Sequence, residues 1–132
     1  VLLEPGIEPV PNKTAQLYTK LNSSLFTSGQ YTMKLATHIN HGGKVEEQFL
    51  FNVFEQVAFD FFPSLREYRS GFLKAGARSV HLAGSGPALF TLVSDKAFGK
   101  SIIKRLENER HKAYLIHTVT SAITTSRGNR KC

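Results

Sequence analysis

The segment Ala83-Gly84-Ser85-Gly86-Pro87 stands between two stretches that carry strand patterns. Before it, Val80 and Leu82 alternate with polar residues, as in a half-buried strand. After it, residues 88–93 are almost continuously apolar, which suits an interior strand. Because glycine adopts positive φ values at little cost, the segment between them is predicted to be a tight turn. The chain is therefore expected to contain a β-hairpin closed by glycines.

Such a glycine-rich turn could also bind an anion. Successive backbone N–H groups in a turn of this kind can form a concave nest, and Ser85 adds a hydroxyl group. A tight hairpin without a ligand is the alternative, since turns that contain Gly-Pro are common. The segment lacks the Gly-Lys-Ser or Gly-Lys-Thr of a P-loop. No helix begins at Ser85, so it is not predicted to be a nucleophile either.

The remainder of the chain predicts an opening strand, five helices and a closing strand. Val1–Leu3 is the first strand, and Ala113–Val119 is the last. Helices are expected over about residues 12–22, 28–41, 46–62, 64–75 and 95–110. Four of them follow residues that favour the N-cap position, namely Asn12, Ser28, Ser64 and Ser94. The segment Glu46–Phe62 has so wide an apolar face that it must be covered from two directions, as a central helix or as part of a domain interface.

This order of elements predicts an α+β fold. The end of the chain forms half of a ferredoxin-like arrangement, with the order strand, turn, strand, helix and strand. The opening strand would complete a four-stranded, mostly antiparallel sheet, with the other helices added to it. The 132 residues fit one domain. We expect that domain to cover residues 1–125 and residues 126–132 to form a flexible basic tail.

Charge and cysteine content restrict the partners. The net charge of +7 favours anionic partners, although a basic surface can equally serve solubility alone. The basic residues form no run before Arg127, Arg130 and Lys131, so a nucleic-acid groove is not predicted.

The single cysteine, Cys132, excludes an internal disulfide and suits a reducing, cytoplasmic compartment. No apolar run reaches the length of a membrane span.

Few side chains are candidates for chemistry. His38 and His41 are three residues apart, but no third ligand follows, so no metal site is predicted. No paired carboxylates and no catalytic residue are predicted. Tyr18, one helical turn beyond Thr14, is either an ordinary surface aromatic or a platform on which a base could stack. Because the chain opens inside a strand pattern and without methionine, we expect it to be cut from a longer polypeptide.

Four segments together resemble the C-terminal half of the GHMP kinase superfamily. Leu82–Phe90 is similar to its third, glycine-rich motif, with Ala83 where serine or threonine is usual. The other three are most similar to the subfamily that acts on a cytidine diphosphate derivative of methylerythritol. Val1–Gly6 resembles the strand and Pro-Gly that open its second half, and Thr14–Tyr18 resembles a Thr-Ala helix start. Asn52–Ala58 resembles its Asn-Asp-Leu-Glu stretch, with Val53 in place of the acid.

This resemblance implies an ATP-dependent kinase of non-mevalonate isoprenoid synthesis that phosphorylates a small cytidyl diphosphate substrate. ATP, with Mg²⁺, would be bound mainly by the N-terminal kinase domain of the same polypeptide, which carries the catalytic lysine and aspartate in this family. Tyr18 would stack on the cytosine, with Thr14 beside it. Gly84, Ser85 and Gly86 would lie near the phosphates.

On this assignment, the chain alone would be inactive as a kinase. The isolated domain could self-associate through the apolar face of Glu46–Phe62. The alternatives are another GHMP kinase, of the homoserine or mevalonate type, and a free-standing ferredoxin-like module that binds an anion or RNA.

Overall fold

A computed structural model describes residues 1–118 of the chain. It contains five α-helices and four β-strands in these residues. The helices are α1 Lys13–Lys20, α2 Gln30–Asn40, α3 Glu55–Phe61, α4 Leu65–Lys74 and α5 Lys96–Asn108. The strands are β1 Leu2–Glu4, β2 His81–Leu82, β3 Leu89–Phe90 and β4 Lys112–Tyr114. Two short 3₁₀ helices, Ser23–Leu25 and Glu47–Phe49, flank α2.

The four strands form one sheet in the order β2-β3-β1-β4. Every neighbouring pair is antiparallel. Leu3 in β1 lies opposite Leu89 in β3 on one side and Ala113 in β4 on the other. The predicted α+β fold with a ferredoxin-like, four-stranded antiparallel sheet is therefore confirmed.

The core lies where the sheet meets α1, α4 and α5. Leu3 and Leu89 from the sheet are fully buried, and so is Leu17 of α1. Helices α4 and α5 contribute the fully buried side chains Leu65, Phe72, Ile102 and Leu106. Helix α2 contributes no buried residue. It therefore lies outside the core.

The predicted long helix over Glu46–Phe62 is wrong in its first half. The chain forms a 3₁₀ helix at Glu47–Phe49, then an extended stretch, and α3 begins only at Glu55. Asn52 explains the interruption. Its Nδ2 donates hydrogen bonds to the carbonyl oxygens of Leu82 and Gly84, and its Oδ1 accepts one from the N–H of Phe54. A side chain that binds backbone groups in this way competes with helical hydrogen bonding.

Two predicted caps are also wrong. Gly29, at φ 82°, occupies the N-cap of α2, while the hydroxyl of Ser28 donates to Gln30 Oε1 at 2.8 Å. Asp95 rather than Ser94 caps α5, because its carboxylate accepts hydrogen bonds from the N–H groups of Ala97 and Phe98. A carboxylate is favoured there by the helix dipole as well as by hydrogen bonding.

The other two predicted caps lie where they were expected but make no capping bond. Asn12 precedes α1 in a left-handed conformation, and Ser64 precedes α4. The strands are shorter than the patterns predicted, with two residues each in β2 and β3. The predicted end of the last strand, Val119, lies outside the described residues, and so does the predicted tail at 126–132.

Candidate functional site

The glycine-rich turn joins β2 to β3 and is closed by its own backbone. The N–H of Ala83 donates to the carbonyl of Ala88 at 2.8 Å, and that of Gly86 donates to Ala83 at 2.9 Å. Gly84 and Gly86 have φ values of 57° and 69°, which L side chains rarely adopt. A Cβ atom at Gly86 would also meet Leu82 Cδ1 at 2.7 Å, whereas one at Gly84 would meet open space. Glycine is thus required at position 86 for two reasons and at position 84 for one.

Side chains from α1 and from the segment before α3 hold this turn from outside. Asn52 Nδ2 lies 3.0 Å from the carbonyl oxygen of Leu82 and 2.7 Å from that of Gly84. Lys13 Nζ donates to the carbonyl of Gly86. Side chains that are distant in sequence therefore bind the carbonyls of Gly84 and Gly86 in the turn and that of Leu82, which precedes it.

The amide N–H groups at the tip of the turn are in a different situation. Among residues 1–118, no acceptor binds the N–H of Gly84 or of Ser85. Because the carbonyls of Gly84 and Gly86 are occupied and these amides are not, the turn presents hydrogen-bond donors near its tip. Exposed backbone N–H groups in a glycine-rich turn of this kind can form a nest that binds an anion.

Thr14 and Ser85, two residues from separate predicted sites, are in direct contact. Thr14 Oγ1 lies 3.0 Å from Ser85 Oγ, and both groups are at the surface. Thr14 stands next to Lys13 at the start of α1, so α1 contacts the turn through two successive residues. The structure thereby joins the predicted substrate-binding helix to the predicted phosphate-binding turn.

Tyr18 lies one helical turn further along α1, on the same face as Thr14. Its side chain is 60% exposed. Its ring makes a T-shaped contact with that of Phe54, with the ring centres 5.0 Å apart and the planes at 84°. Phe54 holds the ring while leaving much of it accessible, which is what a stacking platform needs.

Lys13 is partly buried beside the turn. Desolvation by burial lowers the pKa of Lys13 below the ordinary value for lysine. Its ammonium group is the basic group that contacts the turn, and it does so through the carbonyl of Gly86. The local electrostatic environment therefore favours a negatively charged ligand.

An open apolar groove of about 630 Å³ borders the turn on the side of Asn52. Its aromatic lining comes from the chain on either side of α2 and from β3, namely Phe26, Phe51, Phe54 and Phe90. Asn52 and Gly84 also line it. The groove could take an apolar part of a ligand whose charged part lies at the turn.

Glu55 connects α3 to β2 just before the turn. Its Oε1 accepts a hydrogen bond of 2.7 Å from the N–H of Leu82 and lies 3.9 Å from His81 Nδ1. His81 Nε2 in turn lies 2.9 Å from Ser79 Oγ. These contacts fix the strand that leads into the turn.

Sequence reasoning missed Lys13 and Glu55 and placed Asn52 inside a helix. The sequence signals for these residues were weak, since Lys13 is only a neighbour of Thr14 and the partners of Asn52 are 30 and 32 positions away.

Residues 1–118 contain no cluster of three or more His, Cys, Asp or Glu side chains that could hold a metal ion. Among the same residues, no helix is long and apolar enough to cross a membrane.

Comparison with known proteins identifies the family. The family model described as GHMP kinases C terminal matches residues 36–113, which is more than half of the chain and includes the turn. The chain belongs to the GHMP kinases. The resemblance seen in the sequence is therefore confirmed.

Several individual GHMP kinases are similar to this chain. A protein of Dehalococcoides mccartyi called 4-diphosphocytidyl-2-C-methyl-D-erythritol kinase is 47% identical over 119 residues, covering 90% of this chain and 42% of the relative. A protein of Thermodesulfovibrio yellowstonii with the same name is 27% identical over 95 residues, covering 72% of this chain and 33% of the relative. The chain thus spans less than half the length of these relatives.

A solved structure gives the same result for the fold. The crystal structure of 4-(cytidine 5'-diphospho)-2C-methyl-D-erythritol kinase superposes with a TM-score of 0.62 and 25% sequence identity. The match covers 81% of this chain and 38% of that one. The fold described here is therefore that of a domain within a larger GHMP kinase.

Proposed function

We propose that this chain is the C-terminal, substrate-binding domain of an ATP-dependent kinase that phosphorylates 4-diphosphocytidyl-2-C-methyl-D-erythritol in non-mevalonate isoprenoid synthesis. The observation that carries the proposal is 47% identity, over 90% of this chain, to a kinase named for that substrate. The solved structure of a kinase with the same substrate in its title supports it at the level of fold.

The proposed role of this domain is to position phosphates and the substrate base. Phosphoryl transfer depends mainly on positioning and on stabilising the charge of the phosphate oxygens. The free N–H groups of Gly84 and Ser85 would donate to those oxygens, and Gly86 would maintain the turn. Tyr18 would stack on the cytosine, with the hydroxyl of Thr14 between the base and the turn.

ATP would be shared with the N-terminal kinase domain of the same polypeptide, which would supply the catalytic residues. Residues 1–118 contain no cluster of three or more His, Cys, Asp or Glu side chains that could hold a metal ion, and we assign no step of the reaction to a metal in this chain. We propose that the domain covers residues 1–125, followed by a basic tail at 126–132. The single cysteine suits an enzyme of the cytoplasm.

A substrate panel with the full-length protein tests this function. ATP would be supplied with 4-diphosphocytidyl-2-C-methyl-D-erythritol, homoserine or mevalonate, and ADP release would be measured. We expect turnover only with the cytidyl substrate. Turnover with homoserine or mevalonate instead would assign the protein to another branch of the family. The chain of 132 residues alone should be inactive with all three.

Two observations favour a second candidate, an anion- or RNA-binding module that acts on its own. The net charge is +7, and the turn presents free N–H groups. This candidate predicts that the chain alone retards RNA in a gel and that added salt weakens the binding. Our proposal involves no nucleic acid and predicts no retardation.

A further inference from the structure

The carbonyl groups of Gly84 and Gly86 in the glycine-rich turn, and that of Leu82 just before it, are bound by donors that come from elsewhere in the chain. Asn52 binds those of Leu82 and Gly84, and Lys13 binds that of Gly86. Lys13 is 73 positions away from Gly86, so these contacts exist only in the folded domain. A carbonyl oxygen that turned toward a bound phosphate would repel it, because both carry negative charge.

We propose that Lys13 and Asn52 are positioning residues that hold these carbonyls away from the ligand, so that the N–H groups of Gly84 and Ser85 stay available to a phosphate group. The inference rests on the proposed function, because it concerns the same turn. The ligand chemistry is a nucleotide phosphate. Two sources could supply it, the ATP and the diphosphate of the cytidyl substrate.

Asn52 acts through the turn because its donors are already used. A side-chain amide has two N–H bonds to donate, and both are directed to the carbonyls of Leu82 and Gly84. Its Oδ1 accepts from the N–H of Phe54. Asn52 therefore has no donor left for a phosphate, and any effect it has on phosphate binding must pass through the turn.

Lys13 combines a contact with a charge, so the loss of a charge without the contact is tested at another lysine of α1. Lys13→Met removes both, while Lys13→Arg retains the charge and a donor. Lys20 provides the matched control, since it lies on the same helix and contacts the ring of Phe61 instead of the turn. Lys20→Met thus makes the same chemical change on α1 without releasing a carbonyl of the turn.

The experiment uses the full-length kinase and measures kcat and KM for each substrate, with the melting temperature as a check on folding. Losing a hydrogen bond to a charged group should raise KM by about ten-fold. We expect this rise in Lys13→Met and in Asn52→Asp, which keeps its shape but cannot donate. Lys13→Arg and Lys20→Met should stay close to the wild type. The same measurements identify the source of the phosphate group. A rise in KM for ATP alone identifies ATP as that source, and a rise in KM for the cytidyl substrate alone identifies the diphosphate of that substrate.

Failure of the inference is distinguishable from failure of the proposed function. If the wild type does not phosphorylate the cytidyl substrate, the proposed function is wrong. If the wild type is active but Lys13→Met and Asn52→Asp keep both KM values within two-fold of Lys20→Met, the inference is wrong. Should Asn52→Asp fail to fold, the comparison of Lys13→Met, Lys13→Arg and Lys20→Met decides the question alone.

Discussion

The contact between Thr14 and Ser85 joins two residues that are 71 positions apart and brings two separate sequence motifs to one place. On one side of this contact lie the free amides of the turn, and on the other lies the exposed ring of Tyr18. At the scale of single residues, the site therefore consists of a few polar atoms and one aromatic ring. Each of these can be removed without disturbing a fully buried side chain.

Tyr18 should contribute to affinity for the cytidyl substrate through stacking. Replacing an aromatic platform usually costs about 1–3 kcal/mol per base, so Tyr18→Ala in the full-length kinase should raise KM for that substrate about ten-fold or more. KM for ATP should stay the same. Tyr18→Phe keeps the ring and should behave like the wild type. An unchanged KM in Tyr18→Ala would remove Tyr18 from the site.

Alanine at the two glycines of the turn should have unequal effects on stability. Both positions require positive φ, which costs about 1–2 kcal/mol for an L residue. Gly86→Ala also places a Cβ 2.7 Å from Leu82 Cδ1, and overpacking of this kind adds about 1–3 kcal/mol. Urea unfolding should therefore show Gly86→Ala to be clearly less stable than Gly84→Ala. Equal losses would mean that Leu82 moves aside freely.

At the scale of elements, local patterns predicted the sheet well but failed where distant contacts decide. The alternation of Val80 and Leu82 and the apolar run that follows gave β2, β3 and the turn between them. The helix predicted from Glu46 failed because Asn52 bonds to Leu82 and Gly84, partners that periodicity does not show. The candidate site shows the same division between local patterns and distant contacts. Thr14 came from a motif, whereas the contact of Lys13 with Gly86 depends on the tertiary fold.

The start of α5 offers a local test at this scale. Asp95 accepts hydrogen bonds from the N–H groups of Ala97 and Phe98, whereas Ser94 precedes the cap. Loss of an N-cap side chain costs about 0.5–2 kcal/mol. Asp95→Ala should therefore lower the free energy of unfolding by about 1 kcal/mol, and Ser94→Ala should change it little. A larger loss in Ser94→Ala would show that the cap is assigned to the wrong residue.

At the scale of the whole molecule, the segment around α2 is unusually apolar for a surface. Several of its large apolar side chains are at least 41% exposed, namely Phe26, Met33, Ile39, Val45 and Phe51. Exposed apolar patches of this kind commonly mark interaction surfaces. The chain spans 42% of the length of its Dehalococcoides relative, so a full-length kinase has further chain that could cover this surface. We expect the N-terminal kinase domain to do so.

The isolated chain should consequently self-associate and bind an apolar dye, whereas the full-length kinase should do neither through this surface. Met33 and Ile39 are 69% and 46% exposed on α2, so the double variant Met33→Lys, Ile39→Lys should reduce both effects in the isolated chain. Leu73 is 42% exposed on α4 and provides a control, because Leu73→Lys adds a charge away from this segment. Sedimentation velocity and dye fluorescence measure the two effects. A strictly monomeric chain without dye binding would show that the apolar side chains around α2 tolerate water and need no covering domain.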